Sequence, residues 1–244
     1  MFSVVIPIKN QFKIIKMCLE SIVRHCKNEE IIIIDDGSTE VETKNFLNLI
    51  TSNEHWKLIR NDKSFGHTKA CEQGIGNSSH ENIFLLNSDT ILTENSLQSL
   101  SNVLDQNNDI AVVGPSTSSA SGPQIIKELY NKRFTMSIKE IDAYGKKLAS
   151  TKSEIIDIEL VNGFCFGIKK SVFVKIGGFD PVLTCYGNEK ELLIRIRNAG
   201  CRTVHVKNSY VHHFGKVSYS KEKINIGKAQ IDADRYIRKK FGLK

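Results

Sequence analysis

Two stretches of this chain place carboxylates directly behind apolar runs: "IIIIDDGSTE" at 31–40 and "NIFLLNSDT" at 82–90. Turn formers end both runs, so Asp35 and Asp36 in the first, and Asp89 beside Asn87, Ser88 and Thr90 in the second, fall at strand ends. In an open α/β sheet the carboxyl edge of the strands is where ligands bind. Acids that converge there from separate strands suit a divalent cation and a diphosphate, because hard cations take oxygen ligands and offset phosphate charge. Any one of these aspartates would serve equally well as a cap for the helix that follows, accepting from free backbone N–H groups. The elements around them decide between the two readings.

Four β-branched residues in a row read as a strand buried on both faces, the mark of a parallel sheet covered by helices. "FSVVIPI" is a first strand, and Phe12, Ile15, Leu19, Ile22, Val23 and Cys26 then recur at helical spacing. "IIIIDD" is the second strand, "VETKNFLNLI" a helix, "WKLIR" a third strand, "NDKSFGHTKACEQGI" a loop entering a helix, and "NIFLLNSDT" a fourth strand. This alternation over residues 1–115 predicts a doubly wound α/β sheet with right-handed crossovers. Residues 114–123, "GPSTSSASGP", predict a long loop, and long loops inside compact domains are often functional. Beyond it the pattern predicts a helix over 138–149, the apolar pair "IIDIELVNGFCFGI", the turn "GGFD" and the helix "NEKELLIRIRNAG". Strands "RTVHV" and "SYVHHF" follow, then a basic helix from about Lys221.

The chain has 244 residues, 40% hydrophobic and 25% charged, an ordinary globular balance with room for a substantial core. No apolar run approaches the ~18 residues that cross a bilayer, and the start lacks the basic opening of a signal peptide. The expectation is a cytoplasmic protein. Cys18, Cys26, Cys71, Cys165, Cys185 and Cys201 are scattered without a CxxC pair, which argues against a zinc site or a disulfide framework and for reduced, mostly buried thiols. A net charge of +7 suggests an anionic partner, yet the cations are spread out and lack the aromatic interleaving of a nucleic-acid binder, so no nucleic acid is expected. The basic tail "RYIRKKFGLK" reads either as a peripheral contact with anionic lipid at the inner face of a membrane or as a solvated helix end.

The order and wording of these pieces resemble the family 2 inverting glycosyltransferases, nucleotide-sugar enzymes of the GT-A fold. The resemblance rests on "SVVIPIKN", "IIIIDDGSTE", "NDKSFGHTKACEQGI", "LLNSDT", "VNGFCFGIKKSVFVKIGGFD", "NEKELLIRIRNAG" and "HHFG", in this order over most of the chain. It implies one GT-A domain with a mostly parallel sheet and a smaller acceptor-side sheet: a nucleotide-binding half at 1–115, an acceptor half at 116–220 and a basic helix at 221–244. It implies transfer of a sugar from a UDP- or dTDP-type donor to a hydroxyl of a glycan or glycolipid, with Mn²⁺ or Mg²⁺.

By the same resemblance Pro7, Ile8, Lys9, Asp36, Gly66, Lys69 and Ser88 would serve the nucleotide, Asp36 accepting from a base N–H. Pro7 equally ends a strand, and Lys69 equally suits a solvated helix. Asp89 stands at the last acid of the family's DXD motif and is implied to bind the metal, while Asn87 puts a neutral amide at its first position. Asn87, Asn162 and Gly163 are implied at the donor or acceptor sugar, although packing alone explains Phe164, Phe166 and Ile168. His213 is implied as a second metal ligand with His212 as the fallback, since neighbours on a strand face opposite ways. His205, His67, His80, His55 and His25 take the structural reading. Inversion needs a carboxylate to take the acceptor proton. The family writes Glu-Asp-x-Asp before "LxxRxRxAG"; here Asn188, Glu189, Lys190 and Glu191 align, making Glu189 the implied base.

The loop at 114–129 is read as a lid that excludes water. The alternative is a catalytically weak relative that binds a nucleotide or glycan, which Asn87, Asn188 and the Asp-to-Glu change at Glu189 favour. An aspartyl-phosphate phosphatase is disfavoured because Gly37 follows Asp36, and a nucleotidyltransferase because no GxGxR loop follows the first strand.

Overall fold

Ile31 and Ile33 are buried in one core and Ile32 and Ile34 in another, so the four-isoleucine run is a strand covered on both faces. The computed structural model describes residues 1–51, 54–184, 186–215 and 226–243. Its strands are β1 Phe2–Ile8, β2 Glu30–Asp36, β3 Trp56–Asn61, β4 Asn82–Leu86, β5 Thr90–Leu92, β6 Ile110–Ser116, β7 Ile155–Asp157, β8 Cys165–Lys169 and β9 Arg202–His213. Its α-helices are α1 Phe12–His25, α2 Val41–Ile50, α3 His67–Asn77, α4 Ser96–Gln106, α5 Lys127–Tyr130, α6 Ile138–Ala149, α7 Lys170–Lys175, α8 Asn188–Asn198 and α9 Ile226–Phe241.

The strand order is β3-β2-β1-β4-β8-β6-β9-β5, with β7 also on β9. The first four strands are parallel, β8 enters antiparallel between β4 and β6, and β6 and β9 are again parallel. One face packs on α1 and α4 through Ile15, Leu19, Ile22, Leu97 and Leu100. The other packs on α3, α7 and α8 through Cys71, Ile75, Phe173, Leu192 and Ile196. Each aliphatic side chain buried this way contributes about 1.5–3 kcal/mol, so the core pins the strand ends.

The structure departs from the sequence reading in four places. The fourth strand stops at Leu86, because residues 87–89 leave the ladder before β5 begins. Residues 114–116 belong to β6 and not to a loop. "RTVHV" and "SYVHHF" form one strand of 12 residues, with a register irregularity where β6 ends against it. Finally, β8 sits between two strands of the first 115 residues, so the halves at 1–115 and 116–220 interleave in one sheet. The small second ladder is β5 against the end of β9. The C-terminal helix is described from Ile226, and Lys221 and Cys185 lie outside the described residues. The other five cysteines are free, four of them buried. Among the described residues no helix is long and apolar enough to cross a membrane.

Candidate active site

The turn at 87–89 and the end of β9 are brought together by the short β5–β9 ladder. Thr90 pairs with His213 and Ile91 with His212, and the Phe214 N–H donates to the Asp89 carbonyl at 3.0 Å. This sets His213 Nε2 3.3 Å from Asp89 Oδ1. Asp89 is 2% exposed, and its Oδ1 is buried without a hydrogen-bond partner. His213 Nδ1 lies 2.6 Å from the Ser119 carbonyl oxygen, which as a pure acceptor requires a proton on Nδ1 and leaves Nε2 as the ring atom that faces Asp89. Phe164 stacks on the imidazole at 5.0 Å. A carboxylate oxygen and the outer nitrogen of an anchored imidazole thus face each other in a buried space; they form an ion pair when the ring is protonated, and with the neutral ring both are acceptors, an arrangement that fits a divalent cation. Among the described residues no third His, Cys, Asp or Glu completes a protein-only cage.

His212 points the other way, as the alternation of a strand demands. It is fully buried, its Nδ1 2.9 Å from the Tyr210 hydroxyl and its Nε2 2.9 Å from the Arg133 carbonyl, and burial pushes it down to about 4. It is structural. His205, beside the Ser116 hydroxyl at 2.9 Å, is likewise buried and pushed down to about 4.

Asp35 and Asp36 also diverge. Asp35 accepts from the Ser38 N–H at 3.0 Å and from Arg60 Nε at 3.2 Å, closing the turn after β2. Asp36 accepts four bonds: from Asn61 Nδ2 and the Phe65 N–H on Oδ1 (3.0 and 2.9 Å), and from the Ser64 hydroxyl and the Gly66 N–H on Oδ2 (2.6 and 3.0 Å). Burial by itself would raise its pKa, but these donors outweigh that and hold the carboxyl below its ordinary value. A carboxylate offers about four lone-pair sites, and here all are used. A nucleobase N–H that bonds Asp36 must therefore share or displace one of them. Gly37, at φ 75°, passes so close to Lys63 and Ser64 that a Cβ would stand 2.7 Å from the Ser64 nitrogen.

Pro7, Ile8, Lys9, Asp36, Gly66, Asn87, Ser88, Asp89, Asn162 and His213 all line one cavity of about 860 Å³ at the carboxyl edge of the sheet. Lys69 does not. Its ammonium is held by Glu72 at 2.8 Å on the exposed side of α3, the solvated-helix alternative. Glu189 and Gly163 line a smaller cavity of about 280 Å³, which shares Asn162, Tyr186 and Gln230 with the larger one. Glu189 sits in the first turn of α8, and a Cβ on Gly163 would overlap its Oε1, so glycine there is what admits the carboxylate. Burial pushes Glu189 above its ordinary value, against a smaller pull from its own backbone N–H.

Asn162 lines both cavities with its amide already bonded. Its Oδ1 accepts from the Ser121 hydroxyl (2.9 Å) and N–H (3.3 Å), and its Nδ2 donates to the Ser121 carbonyl (2.9 Å) and Gln124 Oε1 (2.8 Å). The amide expected at a sugar is committed to the loop after β6. That loop is itself bonded at both ends, Thr117 N–H to the Gln124 carbonyl and Ile126 N–H to the Thr117 carbonyl at 2.8 Å each, and forms a wall of the site where a lid was expected.

Sequence reasoning missed His67, Phe65, Tyr130, Tyr186, Ser119 and Gln230, which line the larger cavity. His67 heads α3; burial lowers its pKa while Asp89 and Asp36 pull the other way. Its place directly after Gly66 was a usable signal. Gln230 carried none, because α9 reaches the site only through tertiary packing of Ala233 and Ile237 on Gly187 and Leu183. In that tail Lys240 binds Asp180 and Glu191 (2.6 and 2.7 Å), Arg238 binds Asp234 (2.6 Å) and Arg235 faces Asp232 (3.4 Å). Much of its charge is thereby neutralised within the fold.

A family model described as "Glycosyl transferase family 2" matches residues 3–177. The chain is 29% identical over 115 residues to "Glycosyltransferase GlyG" of Streptococcus pneumoniae serotype 4, covering 47% of this chain and 38% of that one. It spans less than half the length of the curated relatives it matches. Among solved structures, GalNAc-T7 with UDP, GalNAc and Mn²⁺ superposes with a TM-score of 0.73 at 17% identity, over 98% of this chain and 47% of that one. The mannosyltransferase PcManGT from Pyrobaculum calidifontis, in complex with GDP-Man and Mn²⁺, superposes at 0.64 and 14% identity, over 97% of this chain and 69% of that one. At these identities the two structures establish the fold, which is GT-A.

Proposed function

Given that the chain belongs to glycosyl transferase family 2, we propose that it transfers a sugar from a nucleoside diphosphate sugar to an acceptor hydroxyl, with inversion and with Mn²⁺ as the metal. The observation that carries this reading is the buried, unpartnered Asp89 Oδ1 facing the anchored His213 imidazole on the wall of the 860 Å³ cavity. Asp89 and His213 would hold the cation, and the imidazole in the pair favours Mn²⁺ over Mg²⁺, which prefers an all-oxygen octahedron. Bound there, a divalent cation supplies Lewis-acid neutralisation of the charge that develops on the leaving diphosphate.

The chain's own groups divide the remaining work. Pro7, Ile8 and Lys9 at the end of β1 and the Ser64–Gly66 loop wall the nucleotide side, with Asp36 exchanging its bond from the Ser64 hydroxyl for one from the base. Glu189, in the adjoining cavity, takes the proton from the acceptor hydroxyl as that oxygen attacks the anomeric carbon. Its raised pKa, a consequence of burial, suits a base that must hold the proton after the step. At about 280 Å³ that cavity lies just below the range of drug-sized pockets, about 300–1,000 Å³, a size for a sugar-sized group. Two cavities that meet at Asn162, Tyr186 and Gln230 suit two substrates that meet at one bond.

The test is thermal shift with UDP, dTDP and GDP, each with and without Mn²⁺, followed by release of nucleoside diphosphate from the matching nucleotide sugars. A ligand that binds only the native state raises the melting temperature, and the rise should require Mn²⁺. A chain that responds to no nucleotide under either condition does not have this function.

A further inference from the structure

We propose that Asn162 is a positioning residue for the metal site: through the loop it clamps, it sets the carbonyl that orients His213. This inference rests on the metal reading above and concerns Asn162 and the loop from Ser119 to Gln124, which do not themselves hold the cation in it.

His213 is gripped from three sides. Ser118 brackets its backbone, the Ser118 hydroxyl donating to the His213 carbonyl at 2.9 Å and accepting from its N–H at 3.1 Å. The Ser119 carbonyl takes the Nδ1 proton at 2.6 Å, and Phe164 covers the ring. The Ser119 carbonyl is useful only if the loop stays where it is, since an imidazole whose Nδ1 partner moves away can turn or change tautomer. Either change removes the Nε2 lone pair from the metal.

Two side chains hold the loop downstream of Ser119. Gln124, fully buried, donates to the Pro115 carbonyl at 3.0 Å and accepts from the Asn162 N–H at 2.8 Å, while Asn162 makes three bonds to Ser121 alone. The amide of Asn162 spans both: it donates to the Ser121 carbonyl and to Gln124 Oε1 while accepting from the Ser121 hydroxyl and N–H, and a hydroxyl, with one proton, could not make both donated bonds. Asn162, Gly163 and Phe164 are therefore one functional tripeptide. The first pins the loop, the second makes room for Glu189, and the third stacks on His213 and accepts from the Asn87 N–H at 2.9 Å.

The experiment uses the full chain and two variants, Asn162→Ala and the milder Ser121→Ala. Free Mn²⁺ is followed by electron paramagnetic resonance during titration in saturating UDP and, in parallel, GDP. Losing groups that orient a metal-bound histidine typically costs about 10–100-fold in affinity, and Asn162→Ala should weaken Mn²⁺ binding by about tenfold, the low end of that range because it acts one step removed. Ser121→Ala should show a smaller loss in the same direction. ¹⁵N spectra of the metal-free protein supply a readout that a purely structural role would not move: His213 should be the Nδ1–H tautomer in the parent chain and a mixture in Asn162→Ala. Unchanged Mn²⁺ affinity together with an unchanged tautomer in folded Asn162→Ala overturns the proposal. If that variant does not fold, the same two readings on Ser121→Ala decide it. A parent chain that binds no Mn²⁺ with either nucleotide instead overturns the metal reading, and this inference with it.

Discussion

The ends of β2 and β4 look alike in sequence, an apolar run that stops on acids, yet the structure treats their carboxylates in opposite ways. Asp36 is saturated by four donors, three of them from the Ser64–Gly66 stretch. Asp89 has Oδ1 buried with no hydrogen bond among the described residues, and it faces His213 Nε2 at 3.3 Å. A carboxylate that has been given every proton it can accept organises its loop and stabilises the fold. One that is buried and left short is a cost that the fold carries for a ligand it expects, because an unsatisfied buried acceptor costs about 1–3 kcal/mol. The difference between the two strand ends is the clearest separation of architecture from chemistry in this molecule.

Substitutions can break that contrast. Asp89→Ala should lower transfer by about 10³-fold or more, since a Lewis-acid cation supplies several kcal/mol and each 1.36 kcal/mol is tenfold. The same variant, unfolded by urea without metal, should be as stable as the parent or more so; a marked loss of stability would return Asp89 to a structural role. Glu189→Gln should cost about 10³-fold in transfer, within the usual range for a general base, with nucleotide and Mn²⁺ binding retained. Because Glu189 has a raised pKa, the parent rate should climb as pH rises through that value while the residual rate of the variant stays flat across it. Parallel profiles in the two proteins would remove Glu189 from the reaction.

Asp36→Asn should do the reverse of Asp89→Ala, losing about 1.5–3 kcal/mol of stability, as expected when hydrogen bonds to a charged group are lost. The folded pKa of Asp36 is depressed, so its stabilisation is present above the ordinary carboxylate value and fades as pH falls through the folded one. The variant should lack that acid-side dependence in a series of melting temperatures. Lys69→Ala should produce the smallest effect, within about 1 kcal/mol for an exposed pair and with no change in nucleotide affinity by calorimetry. A large loss of affinity would restore Lys69 to the site.

Much of the first half was legible because its signals are local. The isoleucine run, the helical spacing from Phe12 and the turn residues after β2 each depend on residues close in sequence, and the elements formed where these patterns put them. Strand alternation put His212 and His213 on opposite sides, and the structure has His213 facing Asp89 while His212 is bonded to Tyr210 and Arg133. What the sequence left open is which polar side chains are already bonded. Asp36 and Asn162 line the cavity, but their bonds come from residues far along the chain, Ser64 for the first and Ser121 and Gln124 for the second, while Lys69 turns to its near neighbour Glu72.

Sequence alone thus determined the β/α order, the residues at the carboxyl edge of the sheet and the identity of the acids and histidines available there, since propensity, periodicity and turn chemistry act over a few residues. Tertiary structure decided which of those groups are satisfied and which are left facing a cavity. It set β8 between β4 and β6, laid the end of β9 beside β5 so that His213 meets Asp89, and closed the Glu189 cavity with α9. Hydrogen-bond saturation and burial are properties of the assembled neighbours, and no window of sequence contains them.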